Sequence, residues 1–157
     1  MGRSVPVRVR IPSIDVDSGL IPLGLQSDHT LEVPPNGFPA GWFTGAPTPG
    51  QLGPAVIAGH VHWDGSPGVF SSLEQVRPGD RVSVVRRNGS VAEFRVTRVS
   101  LYPKSTFPTS VVYGNIDFPG LRLITCGGLN AQTGVYDDNT VVFARLVGAR
   151  HRFGAAG

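Results

Sequence analysis

The stretch "DRVSVVRRNGSVAEFRVTRVSLY" (80–102) decides the fold. Apolar and polar residues alternate on both sides of "RNGS" (87–90), the period of strands with one buried face. Asn88-Gly89 between them is the strongest short-range hairpin signal, because a tight turn of matching twist needs residues that tolerate positive φ. Working outward, "VPVRVRI" (5–11) repeats the alternation. "PAVIAGH" (54–60), "LRLITC" (121–126) and "TVVFARLV" (140–147) are short, β-branched and mostly apolar, as strands covered on both faces are. "DHTLEVP" (28–34) reads as a weaker strand. Helical signals are confined to "GVFSSLEQV" (68–76), one or two turns stopped by Pro78-Gly79. Residues 34–53, rich in Pro and Gly around Trp42 and Phe43, read as an ordered loop with short turns, with Trp42 more a core residue than a groove cover. Seven or eight short strands with turn signals imply an all-β fold, a closed seven- to eight-stranded barrel with short helices or turns in its loops.

The 157 residues suffice for one domain with one sizeable core. Gly and Pro supply 35 residues, spread among apolar runs, so they mark loops and not a disordered tract. A single cysteine excludes an internal disulfide framework and a multi-cysteine zinc site. The net charge is +3, carried by thirteen arginines and one lysine. These arginines alternate with apolar residues as outward strand positions do, which speaks against a nucleic-acid stripe. No apolar run approaches the roughly 18 residues of a membrane span. "MGRSVPVRVR" has no apolar signal-peptide region.

Two apolar strands end in a chemically useful residue followed by a break: "AVIAGH" at His60 and "LRLITC" at Cys126, before Gly127-Gly128. A thiol attacks as the thiolate and needs a cationic or basic neighbour, which a histidine supplies while also serving to protonate a leaving amine. A strand end exposes such a side chain above rigid backbone. On pattern alone, however, an inert core cysteine and a structural or merely exposed histidine are the commoner readings.

A resemblance carries the reading further. "VIAGHVHWDGSPGVFSSLEQVRPGDRV" resembles the histidine region of sortases, and "LRLITCGGLNAQTGVYDDNTVVFAR" their cysteine region, in the family's order after "VRIPSIDVD" and across about residues 6–147. "TCGG" and "DNTVVFA" look most like the actinobacterial sortases grouped as class F. The resemblance implies a cysteine transpeptidase in which Cys126 attacks the Thr carbonyl of a Leu-Pro-x-Thr-Gly-type sorting signal. His60 would then protonate the leaving amine and deprotonate the acceptor. No metal or organic cofactor is implied.

The family's third residue is an oxyanion-stabilising arginine early in the strand after the cysteine. Here that position falls on Asn139, which carries no charge. Arg122 is the replacement considered: residues 122, 124 and 126 share a face at period two, and Arg122 lies roughly 13 Å back along the strand. Ile124 and Thr125 are expected to line the floor beside the nucleophile, with Asn139 contacting substrate. The 18 residues 102–119, "YPKSTFPTSVVYGNIDFP", lie where sortases shape the signal pocket, and loops of this length tend to be functional. His62 shares the face of His60 if the strand continues, but His60 carries the family's Ala-Gly-His motif and is the residue preferred as base, and His62 with Asp64 lacks a third metal partner.

These calls amount to a single catalytic domain with a tail at 148–157, acting as a monomer on the extracytoplasmic face of the membrane of a Gram-positive actinobacterium. The membrane link would be an N-terminal anchor outside this chain. The partners would be a sorting-signal-bearing surface protein and an amine acceptor from a cell-wall precursor or pilin, with no nucleic acid. Two alternatives stand beside this: a cysteine hydrolase using water as acceptor, and a non-catalytic β-barrel binding module.

Overall fold

The computed structural model describes residues 1–27, 31–103, 106–126 and 138–151, with the side chains of Cys126 and His151 outside that description. Its strands are β1 (Pro6–Ile11), β2 (Val16–Leu23), β3 (Ala40–Phe43), β4 (Gly53–His60), β5 (His62–Trp63), β6 (Ser66–Pro67), β7 (Arg81–Arg86), β8 (Ser90–Tyr102), β9 (Pro119–Cys126) and β10 (Asn139–His151). The one α-helical segment among the described residues, α1, spans Thr109–Tyr113. Eight strands close into a barrel in the order β1-β2-β3-β4-β9-β10-β8-β7, and β5-β6 forms a small separate ribbon.

The hairpin read from Asn88-Gly89 is β7–β8. Gly89 takes φ +89°, and Asn88 Oδ1 accepts both the Ser90 N–H (3.0 Å) and the Ser90 hydroxyl (2.6 Å). Most neighbouring strands run antiparallel, but β2–β3 and β4–β9 are parallel. Alternation sorts β4, β9 and β10 cleanly. Ala55, Ile57, Leu121, Leu123, Val142 and Ala144 point into the barrel core with Phe70 and Phe94. Their neighbours Val56, Ile124, Val141 and Phe143 form a second apolar cluster on the outer face, under Val112 of α1. Burying each such side chain stabilises the fold by about 1.5–3 kcal/mol, so α1 is fixed by the sheet and not by its own five residues.

Some elements differ from the sequence expectation. Residues 34–53 contain β3, whose Trp42 is 5% exposed in the core. Its pairing with β2 and β4 supplies the strand character that Pro and Gly hide. Of "DHTLEVP", residues 28–30 lie outside the described residues, and Leu31 makes only an isolated bridge to Leu25. The stretch 68–76 holds a 3₁₀ turn, Leu73–Gln75, and the 102–119 loop contains α1. The last strand continues to His151, because β8 pairs with it as far as Ser90. Among the described residues no helix is long and apolar enough to cross a membrane.

Candidate active site

The parallel pairing of β4 with β9 sets the site. Its register runs Ala58 to Ile124, Gly59 to Thr125 and His60 to Cys126, so the two strands end side by side on His60 and Cys126. Residues 66 apart in sequence are thus lateral neighbours, roughly 4.8 Å apart across the ladder.

His60 is held from several sides. Its ring is 5% exposed, and Nε2 lies 2.7 Å from the Pro34 carbonyl oxygen. A carbonyl only accepts, so Nε2 carries the proton of this contact. Trp63 covers the imidazole at 5.0 Å between centroids, tilted by 46°. Behind the ring, the Phe70 N–H donates to the His60 carbonyl (3.0 Å), and the Gly68 N–H donates to Val61 (2.7 Å). A Cβ on Gly68 would lie 2.1 Å from the His60 carbonyl oxygen, so only glycine lets the returning chain brace the strand end this closely.

A groove of about 530 Å³ leads along the outer face toward this pair. Its floor is Ala58 and Ile124, two register positions before His60 and Cys126. Phe43, Phe107 and Tyr113 form apolar walls, and Asn139 lies at its edge. The aromatic walls brace one another, with Phe107 stacked edge-on against Tyr102 at 6.1 Å and tilted against Tyr113 at 6.0 Å. The site is therefore an extended apolar trough, suited to a peptide with hydrophobic side chains, leading to a histidine and a thiol-bearing residue.

The sortase domain family matches residues 9–147, a span that includes both strand ends. The chain belongs to the sortase family. Sortases are cysteine transpeptidases, and solved sortases share this barrel. Sortase A from Corynebacterium diphtheriae superposes with a TM-score of 0.70 at 21% identity, over 94% of this chain. This sortase domain spans 62% of that structure's length. A Clostridium perfringens sortase D5 transpeptidase gives 0.67 at 22% identity, over 92% of this chain and 79% of its own. Sortase C-3 from Streptococcus pneumoniae gives 0.69 at 19% identity, over 97% and 67%. These likenesses carry the fold. No curated protein sequence matches the chain.

Within the sortase barrel, the other sequence candidates separate. Ile124 is in the groove floor, while Thr125 points to the opposite face. There Thr125 Oγ1 accepts the Thr140 N–H (2.8 Å), joining β9 to β10 just past their last paired residues, Ile124 and Val141. Thr125 also borders a second recess of about 420 Å³, which is polar and carries His62, Ser71, Glu74 and Asp138. His62 is exposed on β5, because β4 stops at His60 and the chain bends at Val61. Among the described residues no cluster of three or more His, Cys, Asp or Glu is arranged to hold a metal ion.

Arg122 is not brought to the strand ends. It is 4% exposed, its Nε–H donates to the Val112 carbonyl (3.1 Å), and its guanidinium lies 4.8 Å from the Phe143 ring centroid. Nη1 sits over Gly120, 3.1 Å from where a Cβ would be, so the side chain runs back along the strand, away from residue 126. Burial, and secondarily the charge of Arg98, pulls its pKa below the usual arginine value. Asn139, at the groove edge and paired with Tyr102, is the nearer of the two to the site. Sequence reasoning missed Trp63, although it stands three residues after His60 in "HVHWD".

Proposed function

We propose that this chain is the catalytic domain of a sortase that cleaves an LPxTG-like sorting signal between Thr and Gly and transfers the acyl group to an amine. The observation carrying this reading is the in-register juxtaposition of His60 and Cys126 at the head of an apolar groove, in a sortase-family chain. The signal's apolar residues occupy the trough, and the scissile carbonyl rests between the strand ends. The Cys126 thiol gives its proton to His60, and Sγ attacks that carbonyl, forming a C–S bond. His60 delivers a proton to the leaving glycine nitrogen as the C–N bond breaks.

An incoming amine then gives its proton back to His60 and displaces the thiolate. The polar recess beside Thr125 suits it, since Glu74 and Asp138 offer carboxylates to an ammonium group. Asn139 stands where an amide N–H serves the tetrahedral oxyanion. The cysteine-region motifs "TCGG" and "DNTVVFA" favour the class F grouping, and with it an actinobacterial cell surface, a Gram-positive wall precursor or pilin as acceptor, and an N-terminal membrane anchor.

The test is incubation with a sorting-signal peptide, with and without an added amine, followed by mass spectrometry. The expected outcome is a thioacyl adduct on Cys126 and a ligated product that grows with amine concentration. Hydrolysed peptide alone at high amine would make water the acceptor. Absence of any adduct, together with an unreactive thiol in the folded protein, would leave a non-catalytic barrel.

A further inference from the structure

A second recess, of about 400 Å³, opens on the same outer face behind α1. Three arginines surround it. Arg98, Phe143 and Arg122 are lateral neighbours across β8, β10 and β9, with the Arg98 guanidinium 4.1 Å and that of Arg122 4.8 Å from the Phe143 ring centroid. Arg145, two residues along β10, lies over Phe118 at 4.4 Å. The rings hold the guanidinium planes in place, so little side-chain freedom is left to lose on binding.

What these cations lack is an anion. Among the described residues, ion pairs join Arg8 and Arg10 to Asp17 and Arg150 to Glu93, and none involves Arg98, Arg122 or Arg145. No carboxylate among the described residues lines the recess. Arg122 spends Nε on Val112, and its terminal amino groups have no hydrogen-bond acceptor among the described residues. The other buried arginine is placed differently: Arg86 turns its Nη atoms inward, onto the Gly2 carbonyl and the Ser90 hydroxyl, leaves its buried Nε without a partner among the described residues, and borders none of the recesses described above. A guanidinium beside a second cation, with no counter-charge among the described residues, presents its remaining N–H donors to the recess, where an anion is favoured.

We propose that the recess formed by Arg98, Arg122 and Arg145 is a binding site for a phosphate-type oxyanion. Guanidiniums from three neighbouring strands border one recess, and their many N–H donors suit a tetrahedral anion with several acceptor oxygens better than a carboxylate with two. Free phosphate and a phosphodiester both present this chemistry. The site does not depend on the transpeptidase reading and is tested without turnover.

The test is a titration followed by amide NMR shifts at constant ionic strength, with inorganic phosphate in one arm and glycerophosphoglycerol in the other. Saturable shifts confined to Phe118, Arg122, Phe143 and the α1 residues are expected in at least one arm. Tighter binding of the diester assigns the source to an esterified phosphate, and binding of inorganic phosphate alone assigns it to the free ion. Arg98→Gln and Arg145→Gln, both at exposed positions, should each weaken binding by about tenfold or more while the spectrum stays folded. Non-saturating shifts in both arms, or equal affinity in the double variant, would overturn the proposal.

Discussion

Two recesses flank α1 on one face of the barrel, and they differ in almost everything but position. The groove on one side is floored by Ala58 and Ile124 and carries no basic side chain among the described residues; the recess on the other is ringed by arginines. Both draw on the same face of β9: Ile124 serves the first and Arg122 the second, with Gly120 beneath it. The period of a strand assigns a residue to a face, but its neighbours decide where along that face a long side chain lies. Gly120 leaves a seat behind Arg122, Phe143 offers a ring beside it, and the Val112 carbonyl accepts its Nε–H.

The sharpest test of this division is at the strand ends. Cys126→Ala should reduce acylation by a peptide at least about 10⁴-fold, as removal of a nucleophile does, with no adduct seen by mass spectrometry. His60→Gln should follow, at about 10²–10⁴-fold, the usual span for a general acid–base. Gly68→Ala strikes the same histidine through its backbone. The new Cβ would sit 2.1 Å from the His60 carbonyl oxygen, so the strand end must shift. We expect about 1–3 kcal/mol lost in denaturant unfolding and turnover lowered by about tenfold to a hundredfold through misplacement.

Arg122→Gln tests the comparison from the other recess. It removes the charge and weakens the tie to α1, whose Thr109 and Tyr113 wall the groove. The expected effect is a few-fold rise in KM with kcat nearly kept, against a larger fall in kcat for Asn139→Ala. If Arg122→Gln instead matched His60→Gln in kcat, the two recesses would be one functional unit and the arginine would act on the reaction.

The smallest effect belongs far from both. The exposed Asp17 carboxyl is held below its ordinary pKa, chiefly by its hydrogen bond from Arg8 (2.6 Å), with Arg10 adding to it. A depressed folded-state pKa means stability present above the carboxylate's unfolded value and lost as pH falls through the folded one. Asp17→Asn should therefore cost up to about 0.5–1 kcal/mol at pH 7, screened as surface pairs are, and nothing in strong acid. Urea unfolding of both proteins at the two pH values checks the difference.

The barrel was largely legible. The Asn88-Gly89 turn and the alternation around it announced β7–β8, and the apolar runs announced β4, β9 and β10. What escaped was set by tertiary partners: β3 inside a Pro/Gly-rich stretch, and α1, five residues held by the cluster under Val112. At the site, motif and strand-end logic led to His60 and Cys126, while their adjacency rests on a register no local pattern encodes. Arg122 was drawn to the site by parity alone, and parity is silent about a glycine two residues back. Trp63 was passed over because exposed aromatic residues carry no periodic signal.

The parallel register of β4 and β9 bears on how the chain acquires chemistry during folding. Antiparallel neighbours such as β7 and β8 zip from a tight turn, whereas parallel strands need a crossover. Here the two ends close a 66-residue loop, a non-local step that rewards the chain only late. Until that step, Cys126 has no imidazole held beside it by the register. On the proposed mechanism the newly made protein is chemically silent until the barrel shuts, and the onset of thiol reactivity during refolding becomes a clock for closure.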